Sequence, residues 1–277
     1  NRYYDSSTGR FITEDPAKDG VNWYSYCGGD PVNMVDPWGL TDAMLRYIVE
    51  KNGGSIDYDP NTGSSVINMP DFKPMTLSSV SSGEITVSVD GQEDFEISAR
   101  VLNGRIVVDS QFMMDNFGLS QDEATHQSND PFTSLSDAVV GFGLTYHPES
   151  KSSTAWPNGC EYGTFLYDNG DGTFSFGDVP NPIAVNTCDL GNLDTSRNLS
   201  GWIHTHPNPG IGFVVEEFSG NAGGGGDGAV TNYYNVTGYL VAPSGTVSGL
   251  NPTWTGVNVN IIPANDPNVF IEVPNLF

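Results

Sequence analysis

The stretch GWIHTHP, residues 201–207, sets two histidines one residue apart and follows them with a proline. The chain has only four histidines, and half of them stand here. Small and apolar residues lead in, so SGWIHTHP reads as a buried strand that runs out into a loop at Pro207. Side chains alternate along a strand, which puts His204 and His206 on one face. Two neutral imidazoles converging from one face supply two corners of a tetrahedral zinc site. A third ligand must come from elsewhere in the chain, usually a carboxylate, and the fourth corner stays open. A hydrolytic site of this kind also needs a carboxylate general base beside the open corner.

The neighbouring sequence offers both. Upstream, Glu161 stands in GCEYGTFLY at the start of a strand expected beside the histidine strand. Downstream, EEFSGNAGGGGDG supplies Ser219 and Asp227, with Glu216 and Glu217 as alternative third ligands. The order Glu161, His204-x-His206-Pro, Ser219, Asp227 resembles the JAMM signature of the JAB/MPN-domain metallopeptidases. That resemblance implies zinc held by His204, His206 and Asp227, Glu161 as general base, and Ser219 helping to hold the oxyanion. One departure stands out. In the family the gap to the serine is short and two residues separate serine from aspartate, whereas here the first gap is longer and GNAGGGG precedes Asp227. Residues 133–250 also resemble an uncharacterised domain family found at the C-termini of Rhs and related bacterial toxins, through EYGTFLY, DGTF, HTHP, FS, GGDG and YLVAPSG in that order.

The patterning around these motifs predicts an α+β fold. SLSDAVVGFGLTY, residues 134–146, reads as a helix. CEYGTFLYDNGDGTFSFGD reads as a hairpin turning at residues 169–172, and VTGYLVAPSGTVSGL as another turning at Pro243-Ser244-Gly245. DNGDG has too few correctly spaced oxygens for a calcium loop. The resemblance sharpens the expectation for 133–277 to a JAB/MPN-like mixed sheet with a flanking helix.

Residues 41–132 have a different texture. TDAMLRYIVEKNG is predicted to be one helix, capped by Thr41 or Asp42 and ended by Asn52-Gly53. EITVSV and RIVVDS alternate as strands do, and LNGR between them marks a hairpin. This segment carries no catalytic constellation and is expected to pack on, shield or position the 133–277 unit. The polar stretch 115–132 reads as a linker with His126 in solvent, and His147, in TYHPES, as a loop residue.

Residues 1–40 interleave aromatics with Gly, Asp and Pro, the texture of short strands and tight turns. RYYDSSTGRFITEDP and NWYSYCGGDPVNMVDPWGL are similar to the C-terminal end of the core of Rhs-repeat (YD-repeat) proteins. In that family the repeats build a hollow β-shell, and a variable toxin comes after the DP-x-GL motif. The resemblance implies cleavage after Leu40 with Asp36 taking part, and Asp15 as a second candidate; both aspartates also read simply as turn-forming Asp-Pro. It further implies a secreted effector acting inside a target cell, with the Rhs shell of the parent chain, an immunity protein and a protein or peptide substrate as partners. The opening, without an initiator Met or a secretory signal, reads as the middle of something longer.

Composition narrows the competing readings. The formal net charge is −24, which repels nucleic-acid phosphates and anionic membrane surfaces. The basic residues of 133–277 are Lys151 and Arg197 alone, so a phosphate backbone finds little to grip. A nuclease or nucleobase-modifying toxin is thereby disfavoured, and the zinc-deaminase pattern of His-x-Glu with Pro-Cys-x-x-Cys is absent. A metal-free target-binding module is the remaining alternative. No apolar run approaches the ~20 residues of a membrane span. Cys27, Cys160 and Cys188 are too few for a disulfide framework; Cys160 and Cys188 could pair, but buried free thiols are the favoured reading.

Overall fold

The computed structural model describes residues 4–5, 10–11, 42–78, 83–102, 104–150, 159–183, 187–207, 217–220, 226–252, 261–262, 267–274 and 276. Asp15, Cys27, Asp36, Leu40, Lys151 and Glu216 lie outside them. The chain folds as a mixed α+β protein built on two large sheets. Near the N-terminus, Tyr4–Asp5 (β1) pairs antiparallel with Arg10–Phe11 (β2).

The first large sheet uses only residues 42–109. Asp42–Met44 (β3) leads into a helix, Leu45–Lys51 (α1). Then come Ser55–Asp59 (β4), Ser64–Asn68 (β5), Met75–Leu77 (β6), Glu84–Val89 (β7), Phe95–Leu102 (β8) and Arg105–Asp109 (β9). The order is β3-β9-β8-β7-β6-β5-β4, antiparallel throughout. Helix α1 touches both β4 and β9, near opposite edges, so the sheet curls around it. Ile48 and Val49 of α1 pack with Ile67, Leu77, Ile85 and Val87 in one core. The β8–β9 hairpin turns where LNGR predicts, with Leu102 opposite Arg105 and Gly104 at φ 77°.

The prediction of one helix over 41–53 needs correction at its start. Asp42 is a strand residue opposite Asp109, and Met44 takes the N-cap position with no side-chain cap. Pairing with β9 satisfies this backbone better than a first helical turn would. The helix does end at Asn52-Gly53.

The expected linker is also ordered. It holds the end of Ser110–Phe117 (α2), then Gln121–Ala124 (α3), which opens with a Ser120–Glu123 capping box. His126 is not solvated: it is 1% exposed, and its Nε2 accepts a hydrogen bond from the Met44 N–H at 3.2 Å. Its ring lies beside Tyr47 and Phe132. Nearby, Lys51 Nζ donates to the Asp122 and Thr125 carbonyls and to Asp130, pinning this segment to α1. The polar composition of 115–132 reflects helix caps and this lysine cradle.

Burial of His126 has a consequence for acid stability. Desolvation, with the Lys51 charge adding to it, lowers its pKa from the usual 6.5 to about 3. The folded protein therefore keeps it neutral, while the unfolded chain takes up a proton below pH 6.5. Stability should fall through that window at about 1.4 kcal/mol per pH unit from this residue. The Tyr47 ring and the Lys51 charge are its titratable neighbours. Urea midpoints of the wild type and His126→Gln, compared between pH 6.5 and 5, should show a steeper decline in the wild type. Parallel declines would refute the assignment.

The second half begins with Leu135–Ser150 (α4). Gly163–Asp168 (β10), Phe174–Phe176 (β11) and Asn198–Thr205 (β12) come next, then Phe218–Ser219 (β13), Asp227–Tyr234 (α5) and Thr237–Val241 (β14). Val247–Leu250 (β15), Ile261–Ile262 (β16) and Val269–Val273 (β17) complete it. The six-stranded sheet runs β11-β10-β12-β14-β15-β17 and is mixed, because β12 and β14 are parallel. A separate pair joins β13 to β16. Both predicted hairpins form, β10–β11 and β14–β15. His147 is a helix residue rather than a loop residue: it is buried in α4, with its Nε2 3.2 Å from the Pro243 carbonyl. Cys160 and Cys188 are free thiols, the first buried and the second partly exposed.

Strand alternation gives the sheet two unlike faces. Ile203 on β12 faces one way with Leu166, Tyr239 and Val241, in the core that holds Val139 and Phe142 of α4. Trp202 faces the other way and packs with Phe165, Tyr167 and the α5 residues Val230 and Tyr234. His204 and His206 share the Trp202 face by the same alternation.

Candidate metal centre

The site grows from the register of β10 against β12. Gly163 lies opposite His204. Beyond the regular ladder, the Thr205 N–H donates to the Tyr162 carbonyl, and the Tyr162 N–H donates to the Thr205 hydroxyl. Continuing that register brings Glu161 opposite His206, and the Glu161 Oε1 to His206 Nε2 distance is 4.0 Å. On the other side, the His206 N–H donates to the Val241 carbonyl and holds the second histidine in line.

Two glycines make room for this geometry. A side chain at Gly163 would meet Cys188 Sγ and the Ile203 carbonyl, so the 187–193 segment can lie close against the strand only over a glycine. Gly238 lies beside Trp202 in the parallel register, where a Cβ would run into the indole and the Thr231 hydroxyl. Trp202 donates its Nε1–H to that hydroxyl and stacks on His204, with ring centroids 5.0 Å apart.

Asp227 arrives from the first turn of α5. Gly226 before it has φ 117°, in the left-handed region that favours glycine. Ser219 fixes Asp227 through two reciprocal bonds: the Ser219 N–H donates to Oδ2 at 2.7 Å, and the Asp227 N–H donates to the Ser219 hydroxyl at 2.9 Å. The free oxygen, Oδ1, then lies 3.3 Å from His204 Nε2.

The three side chains fit a metal ion. His204 Nε2 and His206 Nε2 are 3.1 Å apart, and one ligand atom from each of His204, His206 and Asp227 lies within 4.8 Å of the other two. A tetrahedral ion with bonds of about 2.0–2.1 Å holds its ligand atoms about 3.3 Å apart, close to two of these separations. His204 Nδ1 is 3.2 Å from the Tyr239 carbonyl and donates to it in the tautomer that leaves Nε2 free for a metal. Two imidazole nitrogens facing each other at this distance need a proton or a cation between them. The buried His204-His206-Asp227 group can therefore bind a metal ion. Glu217 is not part of this group among the described residues.

Electrostatics separate the two carboxylates. Burial raises the Glu161 pKa to about 7, with the Asp227 charge adding to it and His204 opposing it. Burial also works against ionised Asp227, but His204, His206 and the Ser219 N–H outweigh it and hold the pKa at about 2. One carboxylate is thus a permanent anion suited to a cation, and the other is poised to gain and lose a proton. For His204, burial lowers the pKa, but Asp227, Glu161 and the Tyr239 carbonyl raise it overall.

The residues expected at the site that lie among those described are brought together here, with Ser219 anchoring Asp227 directly. Reasoning from sequence missed Trp202, Thr231 and Tyr239, which hold His204 from behind. The period-two spacing of Trp202 and His204 was the available signal. Because outer-shell partners typically carry about 10–100-fold of metal affinity, Ser219→Ala should weaken metal binding by about tenfold. Competition with a chelating indicator measures this, and unchanged affinity would show that Asp227 needs no such anchor.

No family model matches the chain, and no solved structure matches it. A putative uncharacterized protein, YlbH of Escherichia coli (strain K12), is 43% identical over 53 residues, which is 19% of this chain and 22% of that protein. The match therefore spans under a quarter of the relative's length. Among the described residues, no helix is long and apolar enough to cross a membrane.

Proposed function

We propose that this chain is a zinc-dependent amide hydrolase, a peptidase or isopeptidase of the JAB/MPN kind, carried as the C-terminal toxin of an Rhs-type effector. The observation that carries the reading is the convergence of His204, His206 and Asp227 with Glu161 beside them. These residues succeed one another along the chain in the order of the JAMM signature. The toxin part rests on the sequence resemblance of residues 1–40 to the end of an Rhs core. Release by cleavage after Leu40, with Asp36 taking part, belongs to the same proposal.

The roles derive from position. His204, His206 and Asp227 would hold the ion, and zinc in such a site supplies Lewis acidity and makes hydroxide available near neutral pH. Glu161 takes the proton from the attacking water on its carboxylate and returns it to the leaving amine. Its raised pKa suits both transfers. The Ser219 hydroxyl accepts from the Asp227 N–H, which leaves its own proton to donate to the developing oxyanion.

Two measurements test this. Elemental analysis of the purified chain should find one zinc per molecule, with anomalous scattering at the zinc edge between His204 and His206. Incubation of the zinc-loaded chain with a cell lysate, followed by mass spectrometry, should reveal new amine termini. Zinc without new termini would favour a binding module over a hydrolase.

A further inference from the structure

Away from the metal centre, the mouth of the curled first sheet forms a concave cavity of about 570 Å³. Apolar side chains form much of its wall, with polar and charged ones among them. Ile56 on β4, Leu77 on β6 and Ile106 on β9 face it from three sides of the curl, and Met44 closes it from β3. Tyr47 of α1 forms a rigid wall, because its ring is stacked on Phe132 with centroids 4.4 Å apart.

The rim is also unusual. Val101 is 57% exposed and Tyr58 is 60% exposed, two of the six large hydrophobic residues left exposed among those described. Both stand at this one opening, on β8 and β4, strands that lie far apart in the sheet order. Exposed apolar side chains scattered singly need no explanation, but two flanking an apolar cavity mark a place where a ligand removes them from water.

The charged groups say what kind of ligand. Each arginine on the lining is paired with a carboxylate also on the lining: Arg46 with Glu50 at 3.1 Å, and Arg105 with Asp137. The Asp137 carboxylate further accepts from the Thr133 and Ser134 hydroxyls. The charges at this opening thus balance within themselves, and a charged ligand competes with a partner already in place. The Ser65 hydroxyl, and the Ser78 hydroxyl as an acceptor since it donates to the Thr86 carbonyl, can serve a ligand's one or two polar atoms. The volume lies in the range of small-molecule sites, about 300–1,000 Å³.

We propose that this cavity binds a small, uncharged, mainly apolar molecule carrying one or two hydrogen-bonding groups. Thr133 and Asp137 lie just before and within the start of α4, the helix that packs against the metal-bearing sheet. A bound molecule therefore touches both halves of the structure and ties them together. The inference is independent of the metal centre and of the activity proposed for it.

The test uses the full chain with Nile red, an uncharged apolar dye. Saturable binding of one dye per chain, read as enhanced and blue-shifted fluorescence, is expected. Val101→Lys sets a charge at the mouth and Ser78→Trp fills it; both positions are exposed, so both variants should fold as the wild type does. Each should weaken binding by about tenfold or more. Ile271→Lys, at an equally exposed position on β17 of the other sheet, should leave it unchanged. The anionic dye anilinonaphthalene sulfonate should bind about tenfold more weakly than Nile red, since each arginine at the opening already holds a carboxylate. Binding that ignores Val101→Lys and Ser78→Trp, or that never saturates, would overturn the site. So would a chain that is dimeric until Val101→Lys makes it monomeric, because the occupant would then be a second copy. Equal or tighter binding of the anion would overturn the uncharged ligand.

Discussion

Glu161→Gln is expected to leave zinc in place and lower hydrolysis by a factor of about 10²–10⁴, the usual worth of a positioned general base. The amide keeps the volume and much of the hydrogen-bonding shape of the carboxylate, but it cannot take a proton from the attacking water. Glu161 lies outside the group of three ligand atoms, 4.0 Å from His206 Nε2, so metal content should not follow activity down. Expressed inside a susceptible cell, the wild-type chain should arrest growth and the variant should not. Elemental analysis and the lysate assay on the same preparation separate the two quantities. A fully toxic Glu161→Gln protein with its metal in place would sink the hydrolase reading and move the target-binding module to first place.

His204→Ala is expected to remove the metal itself. Zinc at a hundredfold excess over its dissociation constant should stabilise the wild-type chain by about 2.7 kcal/mol. For a protein of this size that is a rise of about 5–10 °C in the thermal midpoint. The variant should show almost no rise, because one of three protein ligands is gone and Trp202 has lost the ring it stacks against. Each protein is compared with its own metal-free form, since deleting a buried ring also leaves a cavity that lowers the baseline. A zinc-induced shift that survives in His204→Ala would mean that the ion binds elsewhere. The two variants together separate chemistry from metal binding, which neither does alone.

Much of the candidate site was legible in the sequence because it depends on local geometry. Period-two alternation alone puts His204 and His206 on one face, and a strand starting at Gly163 is close enough in sequence to Glu161 to carry it along. Hairpins were legible for the same reason: Gly104, Gly170, Gly172 and Gly245 take the positive φ angles their turns need. The α+β pattern could be read from where the apolar period changes.

What the tertiary structure decided was every relation that a local rule does not reach. The register that sets Glu161 opposite His206 comes from pairing between segments far apart in the chain. Asp227 reaches His204 because α5 packs on the Trp202 face and Ser219 grips its first turn; no spacing rule places it there. His126 looked solvated because its neighbours in the chain are polar, yet burial is set by neighbours in space, here Tyr47 and Phe132. Asp42 looked like a helix cap until β9 supplied a strand partner. Sequence determined which side chains could do the chemistry, through backbone periodicity; packing between distant segments decided which of them meet, because that depends on the burial of shared apolar surface rather than on distance along the chain.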